Sequence, residues 1–356
     1  MSAPHETGFR FEDRSGNETR FPWRSWVDGF RRVWSAPAVL LGVFACTFLM
    51  AVPMALVVRA SLRAHLGNSL EAAGAADGVN YDWWEEFTAQ ASGLGATFSP
   101  SILGFAPVLD NVSGVLDGQS EILPVTGLLG GYLLLWTFLS GGIVDRLARQ
   151  RPTRPYGFFM ASGTFFFRFL RLAVIAGLIY WLMYRYLHHW LFDEWLLRVT
   201  RPLDTERTAF VWRMGMYAIF GAALVLVNVI FDYSRIRAVV EDRRSMVGAM
   251  LASLRFIWRH PRQVVGLYFL NSIAFVTLVL VWAFAAPGAG GPGVSMWLVF
   301  LVSQIYLLAR LFLKLQFIAS QTALFQRSLA HARYTALPAA AVPVSPAAEA
   351  LSTSLA

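Results

Sequence analysis

Residues 263–309 contain no charged side chain over 47 positions, interrupted only by a Pro/Gly-rich stretch at 287–293. About 20 apolar residues, rising ~1.5 Å each along a helix, cross a ~30 Å hydrocarbon layer. The run therefore reads as two membrane spans joined by a tight turn. Residues 38–58, 122–144 and 214–231 are uncharged as well. Residues 172–184 are short, lying between Arg171 and Arg185. They reach spanning length, as 169–192, when those arginines extend to the headgroups. The last span carries Arg310 and Lys314 near its end. At 56% hydrophobic and 15% charged, the chain is too apolar for soluble domains. The expected fold is an all-α integral membrane protein with six transmembrane helices.

Basic residues alternate in density along the connections. Summed over alternate sides, 23 lie on one face and 7 on the other. This is the positive-inside pattern, and it places both termini in the cytoplasm of a bacterial inner membrane. It also accounts for a net charge of +8 without nucleic acid, which is excluded as a partner. The 29 arginines and single lysine read as genome composition. Cys46 is the one cysteine and lies within the first span, so no intrachain disulfide forms. A polar, mixed-charge segment precedes the first apolar run, which predicts an uncleaved anchor. The expected domains are a flexible cytoplasmic N-terminus at 1–21, a membrane domain at 22–333 and a disordered Ala/Pro/Ser-rich tail at 334–356. An extracytoplasmic insertion occupies 59–121. Its positions Ile102, Phe105, Leu109, Val112 and Leu116 have helical spacing, and Asn80–Phe87 is aromatic and acidic.

An internal repeat runs through the membrane domain. Trp34, Pro37, Leu40, Gly42 and Phe44 align without a gap on Trp258, Pro261, Val264, Gly266 and Tyr268. Gly157, Ala161, Ser162, Phe165, Arg168 and Arg171 align on Gly248, Ala252, Ser253, Phe256, Arg259 and Arg262. Before Pro37, the residues Trp23, Trp26, Val27, Phe30, Val33 and Trp34 share one helical face. Arg24, Asp28, Arg31 and Arg32 occupy the other. The pattern predicts an amphipathic helix at the headgroups, where tryptophan keeps its N–H hydrated. Residues 246–260 repeat the design before Pro261, with Trp258 at the interfacial position. Residues 156–169 are a looser copy without the proline. The chain thus reads as three modules, each an in-plane helix followed by a hairpin of spans.

Polar groups at membrane depth are the candidate sites. Asp145 and Asp232 each end a span beside arginines, and Arg168, Arg171, Arg259, Arg262 and Arg310 are expected at similar depth. Ion pairs locking the modules together are the main reading; proton or anion handling is the rival. Asn228, Asn271, Ser272, Ser303 and Gln304 would bond between helices or line a transport path. Gly130, Gly131, Gly141 and Gly142 permit close helix approach or a kink. His188, His189, Asp193 and Glu194, with His65, resemble metal ligands without a second strong element. No catalytic or nucleotide-binding motif is present, so no enzyme activity and no cofactor are expected.

The step Asp232, Tyr233, Ser234, Arg235, Ile236 after a central span is followed by Val240, Glu241, Asp242, Arg243, Arg244 and Ser245. With the in-plane helices, it resembles a group of uncharacterised six-span bacterial membrane proteins. That group is similar to the membrane domain attached to some glycerophosphodiester phosphodiesterases. The resemblance covers 22–325 and implies architecture, not activity, since the phosphodiesterase domain has no counterpart here. The expected role is a non-catalytic protein organising membrane lipids or a membrane or periplasmic protein partner. The alternative is a transporter or lipid-translocating protein using polar groups of the last three spans.

Overall fold

The computed structural model describes residues 22–77, 80–92, 95, 126–202, 205–286 and 293–329. The expectations for 1–21, for 101–116, for the turn at 287–292 and for the tail at 334–356 lie outside the described residues. Among the described residues there are helices and no strand. In order they are α1 (Pro22–Trp34), α2 (Pro37–Leu66), α3 (Ala72–Asp77), α4 (Tyr81–Gln90), α5 (Thr126–Arg149), α6 (Pro155–Leu182), α7 (Glu206–Val240), α8 (Met246–Arg259), α9 (Pro261–Ala285) and α10 (Val294–Ser328). Five helical stretches are long and apolar enough to cross a membrane: Pro37–Leu66, Pro155–Thr200, Glu206–Val240, Pro261–Ala285 and Val294–Ser328. The chain is therefore an all-α, multi-pass membrane protein. The 24-residue α5 stands where the second of six spans is expected, though it is not among those five.

Two levels of packing divide the bundle. At the arginine-rich end, the ends of α5, α7 and α10 and the start of α6 meet α8 around Val144, Phe165, Val229, Tyr233, Phe256 and Phe325. A second cluster joins α1 and α2 to α5 and α10 through Val33, Val43, Ile143, Leu147 and Ala319. Away from this end the helices separate and expose apolar side chains: Leu49 on α2, Phe269 on α9, and Leu298, Leu301 and Ile305 on α10. Apolar surface of that kind is stable against lipid rather than water. Helix α10 is the hub, touching α1, α2, α5, α7 and α9.

The two proline junctions have the same backbone geometry. Ala36 adopts φ −127°, ψ 51° before Pro37, and His260 adopts φ −128°, ψ 46° before Pro261. Proline drives its predecessor out of the α region and lacks an N–H, so each junction ends one helix and begins the next. The tryptophans before them, Trp34 and Trp258, are exposed by 72% and 77%. Residues 156–169 behave differently. They are the first half of α6, continuous with the span that follows. Without a proline nothing breaks the helix, and the expected separate in-plane segment is absent.

Other expectations also shift. Helix α2 does not stop near residue 58 but continues through Arg59 and Arg63 to Leu66. The connection expected at 185–213 is mostly helix. After Leu182 the chain winds on through π-helical turns at Met183–His188 and Trp190–Leu196, then one α-turn to Thr200. Met183, Leu191 and Leu196 pack there against Met216 and Phe220 of α7. Asn80 caps α4, its side-chain oxygen accepting from Trp83 N at 3.0 Å. Trp83 and Phe87 then stack against each other and against His65, so Trp83 is turned inward rather than presented.

Candidate functional site

The face by which α1 packs is not its aromatic face. Ser25, Gly29, Arg32 and Val33 are buried, whereas Trp23, Phe30 and Trp34 are exposed and Trp26 is half-buried. Trp23, Trp26, Phe30 and Trp34 form a stacked column along the outside, with successive ring centroids 6.0–6.3 Å apart. Gly29 lies directly on α10: a Cβ there would sit 2.6 Å from Ser320 N. Helix α8 repeats the arrangement, with Ala249 and Ser253 buried and Val247, Leu251 and Trp258 exposed. Small residues on the packing faces let backbones approach, while Phe256 and Ile257 of α8 fill the core beside them.

Polar bonds secure the packed end. Arg32, expected on the hydrated face, is 6% exposed. It donates to Gln326 Oε1 at 2.7 Å, to Leu147 O at 3.2 Å and to Asp28 at 3.0 Å. With its amide oxygen facing Arg32, Gln150 accepts two further bonds at 2.9 and 3.2 Å. Burial pushes the Arg32 guanidinium below its usual value, and Asp28 opposes that shift. Along α10, Gln316 donates to Trp26 O at 2.8 Å and Gln326 to Ala148 O at 3.2 Å. Asn271 of α9 donates to Ser320 at 2.9 Å and is 1% exposed. It joins α9 to α10.

Among the described residues, Asp145 and Asp232 pair within their own helices rather than between modules. Asp145 pairs with Arg149 of its own helix at 2.7 Å. Asp232 has Arg235 of its own helix at 3.6 Å, with Asn228 at 3.4 Å and Gln321 of α10 at 3.3 Å. Among the described residues neither aspartate pairs with Arg168, Arg171, Arg259, Arg262 or Arg310. Arg168 instead reaches Asp242 at 2.6 Å, and Arg310 lies 5.7 Å from the centre of the Tyr306 ring. Each aspartate is one turn from an arginine on the same helix, so the local pair forms before any longer reach is needed. Gly141 and Gly142 allow close approach of α6, and α5 is continuous past them. A Cβ on Gly142 would meet Phe158 O of α6 at 2.8 Å.

Beyond the packed end, α2, α9 and α10 enclose a cavity of about 920 Å³. Its walls are mostly apolar, from Phe44, Phe48, Val52, Phe275, Phe300, Leu307 and Phe317. Phe48, Val276, Phe300 and Leu307 are exposed, so the cavity reaches the apolar outer surface. Gln304 and Ser272, both singled out in the sequence, lie on its wall. Its charged groups lie toward the packed end, where Lys314 and Arg310 line it with Tyr132 and Tyr268. The Lys314 ammonium sits 3.4 Å from the Trp136 ring centre and 5.5 Å from that of Tyr132. It also lies 3.4 Å from the Tyr132 hydroxyl. An ammonium over aromatic faces is held by their quadrupoles, by about 0.5–2 kcal/mol.

Comparison with protein-family models, with curated proteins and with solved structures finds no match for the chain.

Among the described residues no three His, Cys, Asp or Glu side chains converge as metal ligands. His189 and Asp193 are 3.6 Å apart, His188 stacks on Phe192, and His65 packs on Trp83 and Phe87. The residues that sequence reasoning missed are Arg32, Gln316, Gln321, Gln326, Tyr132 and Trp136. One signal existed. Gln316, Ser320, Gln321, Thr322 and Gln326 recur within about three turns of an otherwise apolar helix, as an interhelical polar seam requires.

Proposed function

We propose that this chain is a non-catalytic, six-span protein of the bacterial inner membrane that holds and organises lipid, with its arginine-rich end cytoplasmic. The observation carrying this reading is the cavity between α2, α9 and α10, mostly apolar along its walls, with its charged groups, Lys314 and Arg310, toward the arginine-rich end. Pockets that bury small ligands are about 300–1,000 Å³, mostly apolar, with few placed polar groups. This one opens on the surface that lipid covers and matches an amphiphile in polarity along its length. The exposed column of Trp23, Trp26, Phe30 and Trp34, and Trp258 on α8, supports the same reading, since indole rings settle at the headgroup level. The matching junctions at Ala36 and His260 support descent of two of the modules from one unit.

A transporter with a polar route is the rival. It is disfavoured by Asn271, whose amide is buried and bonded to Ser320, and by the apolar lining around Gln304. The test is purification of the full chain in mild detergent, with mass spectrometry of what is retained. Reproducible co-purification of phospholipid is expected. Recovery of delipidated protein that keeps its fold and rebinds no phospholipid would refute the reading. Accelerated flip-flop of labelled lipid in vesicles would favour the rival.

A further inference from the structure

The cavity's cations point to the kind of lipid it takes, an inference that rests on the lipid-holding role above. We infer that Lys314 and Arg310 form a headgroup site for an anionic, phosphate-bearing membrane lipid whose acyl chains lie along the cavity.

Depth is the first argument. Lys314 follows Val294, the start of α10, by 20 residues, about 30 Å along the helix. Toward the other end, Lys314 lies six residues before Ser320, on which α1 packs, about 9 Å along the helix, so its ammonium is within reach of a headgroup at the level of α1. From there the cavity extends along α10 to Phe300, roughly 20 Å toward the opposite face. A phospholipid of that leaflet, headgroup at Lys314 and chains toward Phe300, has the same polarity in the same direction.

Charge is the second. Lys314 and Arg310 both line the cavity, and Arg235 lies near enough to act on Lys314 electrostatically. Among the described residues the one carboxylate acting on Lys314 is Asp232, already engaged by Arg235, Asn228 and Gln321. Three cations against one occupied carboxylate leave positive charge for an incoming anion. Tyr132 adds a hydroxyl beside the ammonium.

Residue choice is the third. The chain uses arginine for 29 of its 30 basic residues, and the exception is Lys314. A guanidinium presents a rigid planar fork, whereas an ammonium is a compact charge with three rotatable donors. Between the rings of Trp136 and Tyr132, the compact cation fits and still offers a donor to the cavity.

The test uses the full chain in mild detergent with phosphatidylglycerol or phosphatidylcholine, retention of each being read by native mass spectrometry. The unaltered protein should prefer phosphatidylglycerol by roughly tenfold or more, the scale of two basic residues at a membrane surface. The double variant Lys314→Gln, Arg310→Gln should lose that preference and still bind phosphatidylcholine. Ala55→Trp, which narrows the cavity far from the cations, should weaken both lipids and leave the preference unchanged. Inorganic phosphate in excess should not displace the lipid, since the chains contribute most of the binding. Equal retention of both lipids by the unaltered protein would overturn this inference and leave the broader one standing. Retention of neither lipid would overturn both. If the double variant fails to fold, labelled phosphatidylglycerol in vesicles of the unaltered protein decides: energy transfer from tryptophan no greater than for labelled phosphatidylcholine would sink the proposal.

Discussion

Two stretches of one helix show how this chain divides its work. From Val294 to Leu313, α10 has no buried residue, and from Leu315 to Gln326 nearly every residue is buried. The first stretch is Leu, Val, Phe and Ile; the second is Gln, Ser, Thr and Ala among fewer large apolar residues. The greasier half is the exposed one. In water that order would be inverted. In a bilayer, lipid is as good a solvent for leucine as a protein core, and association depends on close backbone approach and on hydrogen bonds. The packed end therefore specifies the fold, and the exposed half remains free to contact lipid.

The sharpest challenge to this division is Gly29→Leu. Its Cβ would collide with the α10 backbone, which cannot swing aside as a side chain can. The expected cost is about 3 kcal/mol or more, at or beyond the upper range for overpacking. Yield of monodisperse protein and thermal melting in detergent should both fall steeply. An unchanged melt would mean that α1 does not pack on α10. Next in size, Arg32→Met leaves Gln326, Gln150 and Leu147 O without their donor. Losing a buried charge network costs about 3–5 kcal/mol when partners are stranded, and less here because one end of Asp28 reaches Arg327 at 3.5 Å. A melt lowered by less than a degree would place Arg32 outside the core.

Asp232 stands at the boundary between the two regions, and its bonds are long. Asp232→Asn keeps the shape and an acceptor for Gln321, so about 1–2 kcal/mol is expected, with folding retained. Complete loss of folded protein would show that the charge itself is needed. Smallest of all, Leu301→Ala on the exposed stretch should change stability by no more than about 0.5 kcal/mol. Ala319→Leu, buried on the same helix, is the companion variant, and a cost no larger than that of Leu301→Ala would erase the contrast.

Five long apolar helices were legible because spanning demands length without charge, which any window reveals. The proline breaks were legible too, since Pro37 and Pro261 impose a local geometry whatever surrounds them. What misled was polarity as a guide to facing. Periodicity correctly grouped Trp23, Phe30 and Trp34, but these rings are exposed, and of that face Val33 and part of Trp26 turn to the protein. The packing face also holds Ser25 and Gly29, which carry no hydrophobic signal. Arg32 looked hydrated because arginine usually is, and only the partners supplied by α5 and α10 allow its burial. Asp145 and Asp232 were found, but their partners were sought too far away. The run 185–200 has enough charge to resemble a loop, and its helical form rests on packing against Met216 and Phe220 that no local pattern announces. The Lys314 pocket was invisible for a similar reason: Tyr132, Trp136 and Lys314 lie on two helices far apart in sequence.

The link between Arg32 and Gln326 spans 294 positions. At roughly 5–20 residues per second, synthesis separates these two groups by about 15–60 s. Throughout that interval α1 has emerged and its mate has not. A guanidinium and a glycine groove must wait at the membrane surface, where acidic headgroups are the natural temporary company. A ribosome-arrested chain ending before residue 326 should leave Arg32 open to phenylglyoxal; protection equal to that of the finished protein would show that the first helix finds its seat without the last.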